Sequence, residues 1–354
     1  MKELSQIASA VRASTTLAID AMFKQMKADG VDVIGFGAGE PDFPTPDNIK
    51  EAGITAIREN FTRYTPTPGS PELRQAGCAR LKADCGLDYV PAQIVVASGA
   101  KHALYAALHA LVNPGDEIIV PAPFWVTYFE MVRMMGGIPV IVSADESEHF
   151  KLTPERLAAS VTPKTKAILL NNPSNPTGMV YSREELQALA AVCVEKDIYI
   201  IADEIYYRLV YDGRSFTSIA SLGKDVKERT IVINGVSKSY AMTGWRIGYA
   251  AAPEQIARIM ANYLSHSTAA PCSIAQKAAV EALNGPQDTV EAMRKAFETR
   301  RNHLVERMNR IPGVSCLKPE GAFYVMMNLR ELLGKTLHGT PIHDADDFAD
   351  VFLK

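Results

Sequence analysis

A lysine and an arginine lie close together in this sequence, just after an apolar run that is typical of a β-strand. Lys238 follows the run 231–234, and Arg246 stands eight residues later in a segment rich in small residues. An amine at the end of a strand can form a Schiff base with an aldehyde, and an arginine can bind a phosphate beside it. Pyridoxal phosphate carries both groups on one ring, so the pair suggests a site for that cofactor. A surface lysine and a structural arginine are the alternative.

The turn Ser98-Gly99-Ala100-Lys101 follows another apolar run, 94–97, and opens a helical stretch predicted over 100–111. Small residues let backbone N–H groups approach a phosphate, and the start of a helix favours its negative charge. Trp125 follows a third such run, 117–120, and begins a helical stretch predicted over 125–135. Its side chain is compatible with stacking on an aromatic ring or with a place in the core. By itself each of these features is also found in ordinary turns between a strand and a helix.

Two further strand ends carry polar side chains. Asn175 lies in a proline-rich turn after the run 167–170, for which a stiffened turn is the alternative. Asp203 comes directly after the run 198–201, where a buried carboxylate is costly unless it has a partner. A pyridinium N–H would supply that partner, and a helix N-cap is the alternative. In parallel α/β sheets ligands bind beyond the carboxyl ends of the strands, so we expect these turns to converge.

The elements that must position these side chains alternate short apolar runs with helical stretches from about residue 48 to residue 285. This alternation predicts an α/β fold with a mostly parallel sheet covered on both faces. Ser182 and Glu185 form a capping box that predicts a helix over 182–195. The chain is predicted to divide into an N-terminal arm with part of a small domain (1–47), a large cofactor-binding domain (48–285) and a smaller α/β domain (286–354). The last of these is predicted to hold a long helix and a β pair at 314–317 and 322–327, and to be incomplete at its C-terminal end.

Bulk properties narrow the possible partners. The chain has 354 residues, of which 47% are hydrophobic and 22% charged, which is ordinary for a globular protein of about two domains. A net charge of −3 gives no support for a nucleic-acid partner or a polybasic membrane contact. No apolar stretch reaches the length of a membrane span. Five scattered cysteines, none in a C-x-x-C pair, indicate reduced thiols and a cytoplasmic location, and the histidines show no metal-binding spacing.

Five motifs, in this order and spacing, resemble those of class I and II aminotransferases, enzymes of pyridoxal phosphate fold type I, and are most similar to the aspartate aminotransferase branch. The motifs are A-G-E-P-D-F at 38–43, a Y-x-x-x-x-G loop at 64–69, N-P-x-N-P-T-G at 172–178, D-E-x-Y at 203–206, and the lysine segment at 235–248. The resemblance covers essentially the whole chain. It implies a pyridoxal phosphate enzyme that acts as a homodimer with shared active sites.

The resemblance also implies roles for single residues, with Lys238, Asp203 and Tyr206 as the catalytic set. Lys238 would hold the cofactor in a Schiff base and carry the proton in amino transfer, while Asp203 would pair with the pyridinium nitrogen. Tyr206 would bond the ring hydroxyl and stabilise its phenolate form. The remaining implied contacts are Asn175 at the ring hydroxyl, Trp125 stacked on the ring, Gly99, Ala100, Lys101, Ser237 and Arg246 around the phosphate, Tyr64 at the phosphate of the neighbouring subunit, and Gly39 at the substrate α-carboxylate.

Two departures from the family pattern bear on function. Gly235 stands where many relatives have a hydroxyl residue, so Ser237 or water must take that place at the phosphate. The family's arginine for the substrate α-carboxylate lies in a C-terminal strand segment that this sequence does not contain.

The function implied is transfer of an amino group between an L-amino acid, aspartate or glutamate, and a 2-oxo acid, with prephenate as a further acceptor. Lys101 and the hydroxyls of residues 14–16 would then face the distal carboxylate of a dicarboxylic substrate, with Gly39, Trp125 and Asn175 beside them. Three alternatives stay open: a C–S lyase of the same fold, a regulator that senses pyridoxal phosphate, and an inactive fragment of an aminotransferase.

Overall fold

The computed structural model describes residues 2–12, 15–37 and 39–353. Ser14, expected to offer a hydroxyl to the substrate, and Ala38, the first residue of the A-G-E-P-D-F stretch, lie outside the described residues, as do the side chains of Thr15 and Thr16. In the described part of the chain, no helix is long and apolar enough to cross a membrane.

A seven-stranded sheet runs through the middle of the described structure, in the order β1-β7-β6-β5-β4-β2-β3. Neighbours are parallel except that β7 runs antiparallel to β1 and β6, which confirms the mostly parallel sheet expected from the sequence. The strands are β1 (Ile94–Ala97), β2 (Glu117–Ala122), β3 (Ile138–Ser143), β4 (Thr165–Asn171), β5 (Tyr199–Asp203), β6 (Thr230–Gly235), β7 (Gly248–Ala251), and the short β8 (Ser315–Cys316), β9 (Met327–Asn328), β10 (Thr336–Leu337) and β11 (Thr340–Pro341).

Helices cover both faces of this sheet. The helices of the described residues are α1 (Gln6–Ser9), α2 (Thr15–Ala28), α3 (Asp47–Arg58), α4 (Pro71–Cys85), α5 (Ala100–Leu111), α6 (Thr127–Met134), α7 (Pro154–Ser160), α8 (Arg183–Glu195), α9 (Lys224–Lys227), α10 (Glu254–Ser267), α11 (Ser273–Asn284), α12 (Asp288–Met308) and α13 (Ala345–Leu353). Alternate strand residues point to opposite faces. Thus Ile118 and Leu169 pack with α5, α6 and α10, whereas Ile119 and Ile168 pack with α7 and α8. The α/β class is confirmed.

Several helices lie where local sequence signals predict them. Ser182 accepts a hydrogen bond from the amide of Glu185, and the Glu185 carboxylate accepts one from the amide of Ser182, so the predicted capping box is present at the start of α8. Helix α5 has the bounds that the sequence predicts. Helix α6 begins at Thr127, two residues later than expected, because Trp125 belongs to the turn before it.

The predicted β pair near the C-terminal end is shorter than expected. Only Ser315–Cys316 and Met327–Asn328 pair, in antiparallel fashion. The backbone between these two strands forms hydrogen bonds with a turn of the large sheet instead. The amides of Glu320 and Gly321 both donate to the carbonyl of Gly178, at 2.8 Å. Residues 318–324 therefore lie against turns of the large sheet and cannot extend the small two-stranded sheet. The domain boundaries at residues 47 and 285 stay predictions.

Candidate active site

The turns after β1, β2, β4, β5 and β6 meet at one edge of the sheet, as the parallel topology requires. Side-chain contacts between these turns show the convergence. The guanidinium of Arg246 donates to the carbonyl of Ser98 at 3.2 Å, and Tyr128 donates to Asp203 at 2.7 Å. The predicted site residues Lys101, Trp125, Asn175, Asp203, Tyr206, Lys238 and Arg246 accordingly surround one cleft.

Lys238 follows the carboxyl end of β6 and is partly buried. Its Nζ donates a hydrogen bond to the carbonyl of Gly39, and it lies 5.9 Å from the ring centroid of Tyr206. Burial lowers the pKa of Lys238 to about 8, with the negative charge of Glu40 opposing that shift. A lysine with such a pKa is a reactive amine near neutral pH, whereas an exposed lysine is almost fully protonated.

Asp203 ends β5 and is only 5% exposed. Its Oδ2 accepts a hydrogen bond from Tyr128 Oη at 2.7 Å, and its Oδ1 accepts one from the amide of Ile205 at 3.3 Å. Burial raises the pKa of Asp203, while these two hydrogen bonds and the charge of Lys238 oppose the rise. The carboxylate is thus desolvated but supplied with donors, so it can hold a positive charge placed in the cleft.

Tyr206 lies in the turn after β5, with its hydroxyl buried at the floor of the cleft. Its Oη is 2.6 Å from Tyr324 Oη and also interacts with the side chain of Asn175. Burial raises the pKa of Tyr206 well above its usual value, so the hydroxyl keeps its proton at neutral pH and can donate it to an acceptor. The structure therefore brings Asn175 and Tyr206 together, as expected for two residues that share one ligand oxygen.

The opposite end of the cleft is formed by the start of α5. Gly99 has φ +93°, and a Cβ there would overlap the guanidinium of Arg246, so only glycine allows the arginine to lie against this turn. The first amides of a helix have no partners within it, and they favour an anion. Ala100 and Arg246 together form a cradle of amides and a cation that suits a phosphate group.

Trp125 and Lys101 form one side of the cleft. The Lys101 ammonium lies 4.7 Å from the ring centroid of Trp125, while the ring of Trp125 packs edge-on against Tyr128. Although Lys101 is an exposed residue, partial desolvation and then the nearby charge of Arg246 lower its pKa. Contacts with a cation and with a buried aromatic ring thus give Trp125 a defined orientation.

Three further predicted site residues differ in their surroundings. Tyr64 is 98% exposed in the single chain. Ser237 is buried next to Lys238, and its carbonyl accepts a hydrogen bond from the amide of Met242 at 3.1 Å. Gly39 lies beside the lysine, and a Cβ there would come within 3.0 Å of Tyr324 Oη. Gly235 packs so closely on Gly248 that a Cβ would lie 2.9 Å from its Cα, so a glycine is favoured at the position where relatives have a hydroxyl.

Sequence reasoning missed two residues of the site. Tyr128 lies on the buried face of α6, where its spacing looks like that of a core residue. Tyr324 is more than a hundred residues from Tyr206 in sequence, and nothing local in its G-A-F-Y segment indicates that the two hydroxyls meet. Within the described residues, no group of three or more His, Cys, Asp or Glu side chains is arranged to hold a metal ion.

Comparison with known proteins agrees with this geometry. The family model for aminotransferase class I and II matches residues 31–354. The chain is 51% identical to the aspartate aminotransferase of Geobacillus stearothermophilus over 94% of this chain and 84% of that protein. It is 48% identical to the aspartate/prephenate aminotransferase of Cereibacter sphaeroides over 100% of this chain and 89% of that protein.

A solved structure gives the same result for the fold. The crystal structure of the aspartate aminotransferase from Rhizobium meliloti superposes with a TM-score of 0.94 at 41% identity, covering 99% of this chain and 88% of that one. A family model that spans most of the chain and relatives near half identity leave one assignment. The chain belongs to the class I and II aminotransferases and is itself an aminotransferase.

Proposed function

We propose that this aminotransferase binds pyridoxal phosphate at Lys238 and transfers amino groups from aspartate or glutamate to 2-oxo acids. The observation that carries the proposal is the pairing of two desolvated groups that can carry opposite charges. Lys238, with a lowered pKa, and Asp203, a desolvated carboxylate with two donors, lie at neighbouring strand ends and face one cleft. An amine and a carboxylate so placed match the aldehyde and the ring nitrogen of the cofactor.

The donor set around the cleft fits this cofactor at each end. Arg246 and the start of α5 suit the phosphate, while Asn175 and Tyr206 suit the ring hydroxyl and Trp125 the ring face. When bound, pyridoxal phosphate supplies an aldehyde that reacts with amines and a protonated ring that withdraws electrons from the substrate Cα.

The residues of the chain manage charge and protons around that ring. Asp203 favours a proton on the ring nitrogen, because its own carboxylate is desolvated and needs a cation. Tyr206 holds a proton at its Oη for donation to the ring oxygen. Lys238 Nζ, with a pKa of about 8, can accept a proton and return it near neutral pH, as a general base and acid in amino transfer must.

A dicarboxylic substrate is supported by Lys101 and by the names of the relatives. The Lys101 ammonium stands over Trp125 at the edge of the cleft, where it can meet a distal carboxylate. Gly39, Trp125 and Asn175 would then contact the remainder of the substrate. The Geobacillus and Cereibacter relatives are both named for aspartate, and the second also for prephenate, which we propose as a further acceptor.

A homodimer with shared sites is part of the proposal. Tyr64 is almost fully exposed, which is unusual for a tyrosine unless it meets another surface. Further apolar side chains of the N-terminal segment are exposed in the single chain, namely Leu4, Ile7, Ile34 and Phe36. A cytoplasmic location is supported by the cysteines, all of which are free thiols in the structure.

The proposal is tested by spectral titration of the purified protein after addition of pyridoxal phosphate. Aspartate and glutamate are expected to convert the absorbance of the bound cofactor to that of the aminated form at lower concentrations than alanine does. No absorbance change with any amino acid would contradict the proposal. Release of pyruvate from cysteine-type substrates without a 2-oxo acid would favour the C–S lyase instead.

Subunit mixing tests the shared site. Lys238→Ala and Tyr64→Ala chains should each be defective, the first in the covalent link and the second in cofactor retention. In a mixed dimer, one site receives Lys238 from one chain and Tyr64 from the other, so some intact sites should return. Mixed dimers that form but retain no more cofactor than either parent would indicate a site closed within one chain.

A further inference from the structure

Tyr324 meets the floor of the cleft from a part of the chain that is distant in sequence. Its hydroxyl oxygen lies 2.6 Å from Tyr206 Oη, and the two rings pack edge to face with centroids 5.6 Å apart. Phe323, next to it, stacks on Phe297 of α12, so the Tyr324 ring is also held through its neighbour. The two hydroxyls form a hydrogen bond whose direction depends on which of them donates.

The backbone around Tyr324 is tied to the same two turns that carry Asn175 and Tyr206. The amides of Glu320 and Gly321 donate to Gly178, at the end of the turn that contains Asn175. The amide of Ala322 donates to the carbonyl of Leu209, at 2.8 Å, just after the turn that contains Tyr206. These backbone hydrogen bonds hold the Tyr324 segment against the two turns and so place its hydroxyl next to Tyr206.

Side chains also hold this segment. Arg301, which is 5% exposed, binds both oxygens of Asp212 at 2.9 Å and donates to the carbonyl of Pro319. The carboxylate of Glu320 accepts from the amide of Val180 at 3.0 Å and forms an ion pair with Arg214 at 2.7 Å. Because this network restricts the backbone a few residues before Tyr324, the Tyr324 side chain is held more firmly than it would be in an exposed loop.

Both phenols keep their protons at neutral pH, since burial raises the pKa of Tyr324 to about 12 and raises that of Tyr206 well above its usual value. The pair therefore has two protons and one mutual hydrogen bond. If Tyr206 donates to Tyr324, it has no proton left for a ligand. If Tyr324 donates, the Tyr206 proton is free to point into the cleft.

We propose that Tyr324 is a positioning residue: its hydroxyl donates to Tyr206 Oη and so directs the Tyr206 proton to the ring oxygen of bound pyridoxal phosphate. The inference rests on the proposed function, because that ring oxygen is the acceptor. A hydroxyl that accepts a hydrogen bond becomes a stronger donor. Tyr324 thereby strengthens the stabilisation of the ionised ring oxygen and lowers the pH at which the absorbance of the lysine-bound cofactor titrates.

The test is a pH titration of that absorbance, without substrate, in Tyr324→Phe, Tyr206→Phe and the double variant. Tyr206→Phe is expected to raise the midpoint. Tyr324→Phe should raise it too, by about half to one pH unit, the size that one net hydrogen bond gives. The double variant should match Tyr206→Phe alone, since Tyr324 acts through Tyr206. A Tyr324→Phe midpoint equal to that of the unchanged protein would overturn the proposal. So would a shift in the double variant equal to the sum of the shifts in the two single variants.

Tyr207→Phe is the matched control. Tyr207 follows Tyr206 in the same turn and is as buried as Tyr206. Its hydroxyl, however, donates to Asp84 at 2.7 Å, away from Tyr324. Its loss should lower the melting temperature and leave the midpoint unchanged. A midpoint shift as large as that of Tyr324→Phe would mean that general loosening is the cause, which contradicts positioning.

A second variant protects the test against misfolding. Replacement of Tyr324 by 3-fluorotyrosine keeps the ring and makes the hydroxyl a stronger donor, so the midpoint should fall. A rise or no change would overturn the proposal. Failure of the proposed function gives a different result, because the unchanged protein would then show no titrating absorbance of lysine-bound cofactor. That result would contradict both the proposed function and this inference.

Discussion

Two adjacent carboxyl groups at the end of β5 lie in different surroundings. Asp203 faces the cleft, where Tyr128 and the amide of Ile205 donate to it and Lys238 is near. Glu204 is 2% exposed and points into the core, where Ser218 Oγ and the amide of Ile219 donate to Oε1. Its Oε2 has no hydrogen-bond partner among the described residues.

The difference decides which group is charged. Burial raises the pKa of both carboxyls, and for Glu204 it reaches about 8. Glu204 is therefore neutral at neutral pH, which spares the core an unpaired charge. Asp203 has donors on both oxygens and a cation nearby, so it can stay ionised although it is just as buried. Burial alone thus does not identify a functional carboxylate; its partners and the side to which it points do.

The largest effect is expected for Asp203→Asn, because an amide cannot hold the pyridinium charge. The rate of amino transfer from aspartate should fall on the order of 10²–10⁴-fold, as for other lost electrostatic and acid–base groups. Stopped-flow absorbance of the bound cofactor measures it. Glu204→Gln is the matched control, one residue away, and should leave the rate within about twofold. Equal losses in both variants would remove the distinction between the two carboxyls.

Tyr128→Phe should have the next largest effect, since it leaves Asp203 Oδ2 without its donor. A hydrogen bond to a charged group contributes about 1.5–3 kcal/mol, so the dissociation constant of pyridoxal phosphate should rise roughly 10- to 150-fold. Equilibrium dialysis at several cofactor concentrations checks this. Tyr181→Phe, which removes a buried hydroxyl that accepts from the amide of Leu152, should leave cofactor affinity unchanged; a similar loss there would point to stability as the cause.

Glu204→Gln should change stability with pH. The folded pKa of about 8 lies above the ordinary value of 4.5, so unfolding releases a proton between these pH values. The contribution of Glu204 is fully present below the lower value and is lost as pH rises through the upper one. The variant should therefore gain stability relative to the unchanged protein from pH 5 to pH 9, by roughly 4 kcal/mol, because each unit of pKa difference corresponds to about 1.4 kcal/mol. Urea unfolding at both pH values measures it, and a constant difference would mean that Glu204 is not neutral.

The smallest effect is expected for Lys101→Ser, because the lysine is exposed and its contacts are partly screened. The dissociation constant for aspartate should rise roughly fivefold, which corresponds to about 1 kcal/mol, with alanine little affected. Spectral titration with both amino acids checks the ratio. Equal changes for the two would remove Lys101 from substrate selection.

Much of the fold was accessible from the sequence because its signals are local. The bounds of α5 and the capping box of α8 depend on residues within one or two turns of helix. The antiparallel β7, Gly248–Ala251, consists of a glycine, a tyrosine and two alanines with no alternating pattern, and it is defined only by pairing with β1 and β6. The predicted β pair was too long because hydrogen bonds from Glu320 and Gly321 to Gly178 are invisible locally.

Some residues of the candidate site could be predicted from local sequence signals and others could not. Residues that follow strands, such as Asp203 and Lys238, could be placed from sequence, because parallel strands end at one edge. Tyr128 could not, since a tyrosine on the apolar face of α6 looks like any core residue until its hydroxyl is seen on Asp203. Tyr324 required the path of the chain after α12, which depends on the Arg301–Asp212 ion pair and the backbone bonds beside it.

The central claim is that Lys238 is the amine that binds pyridoxal phosphate. Treatment of the protein with the cofactor, reduction with borohydride and mass mapping of the peptides test it without dependence on turnover. The label is expected on Lys238 and should be absent in Lys238→Ala, because burial lowers the pKa of that amine to about 8 beside the carboxylate of Asp203. Label on Lys101 in the unchanged protein, with Lys238 unmodified, would contradict the account.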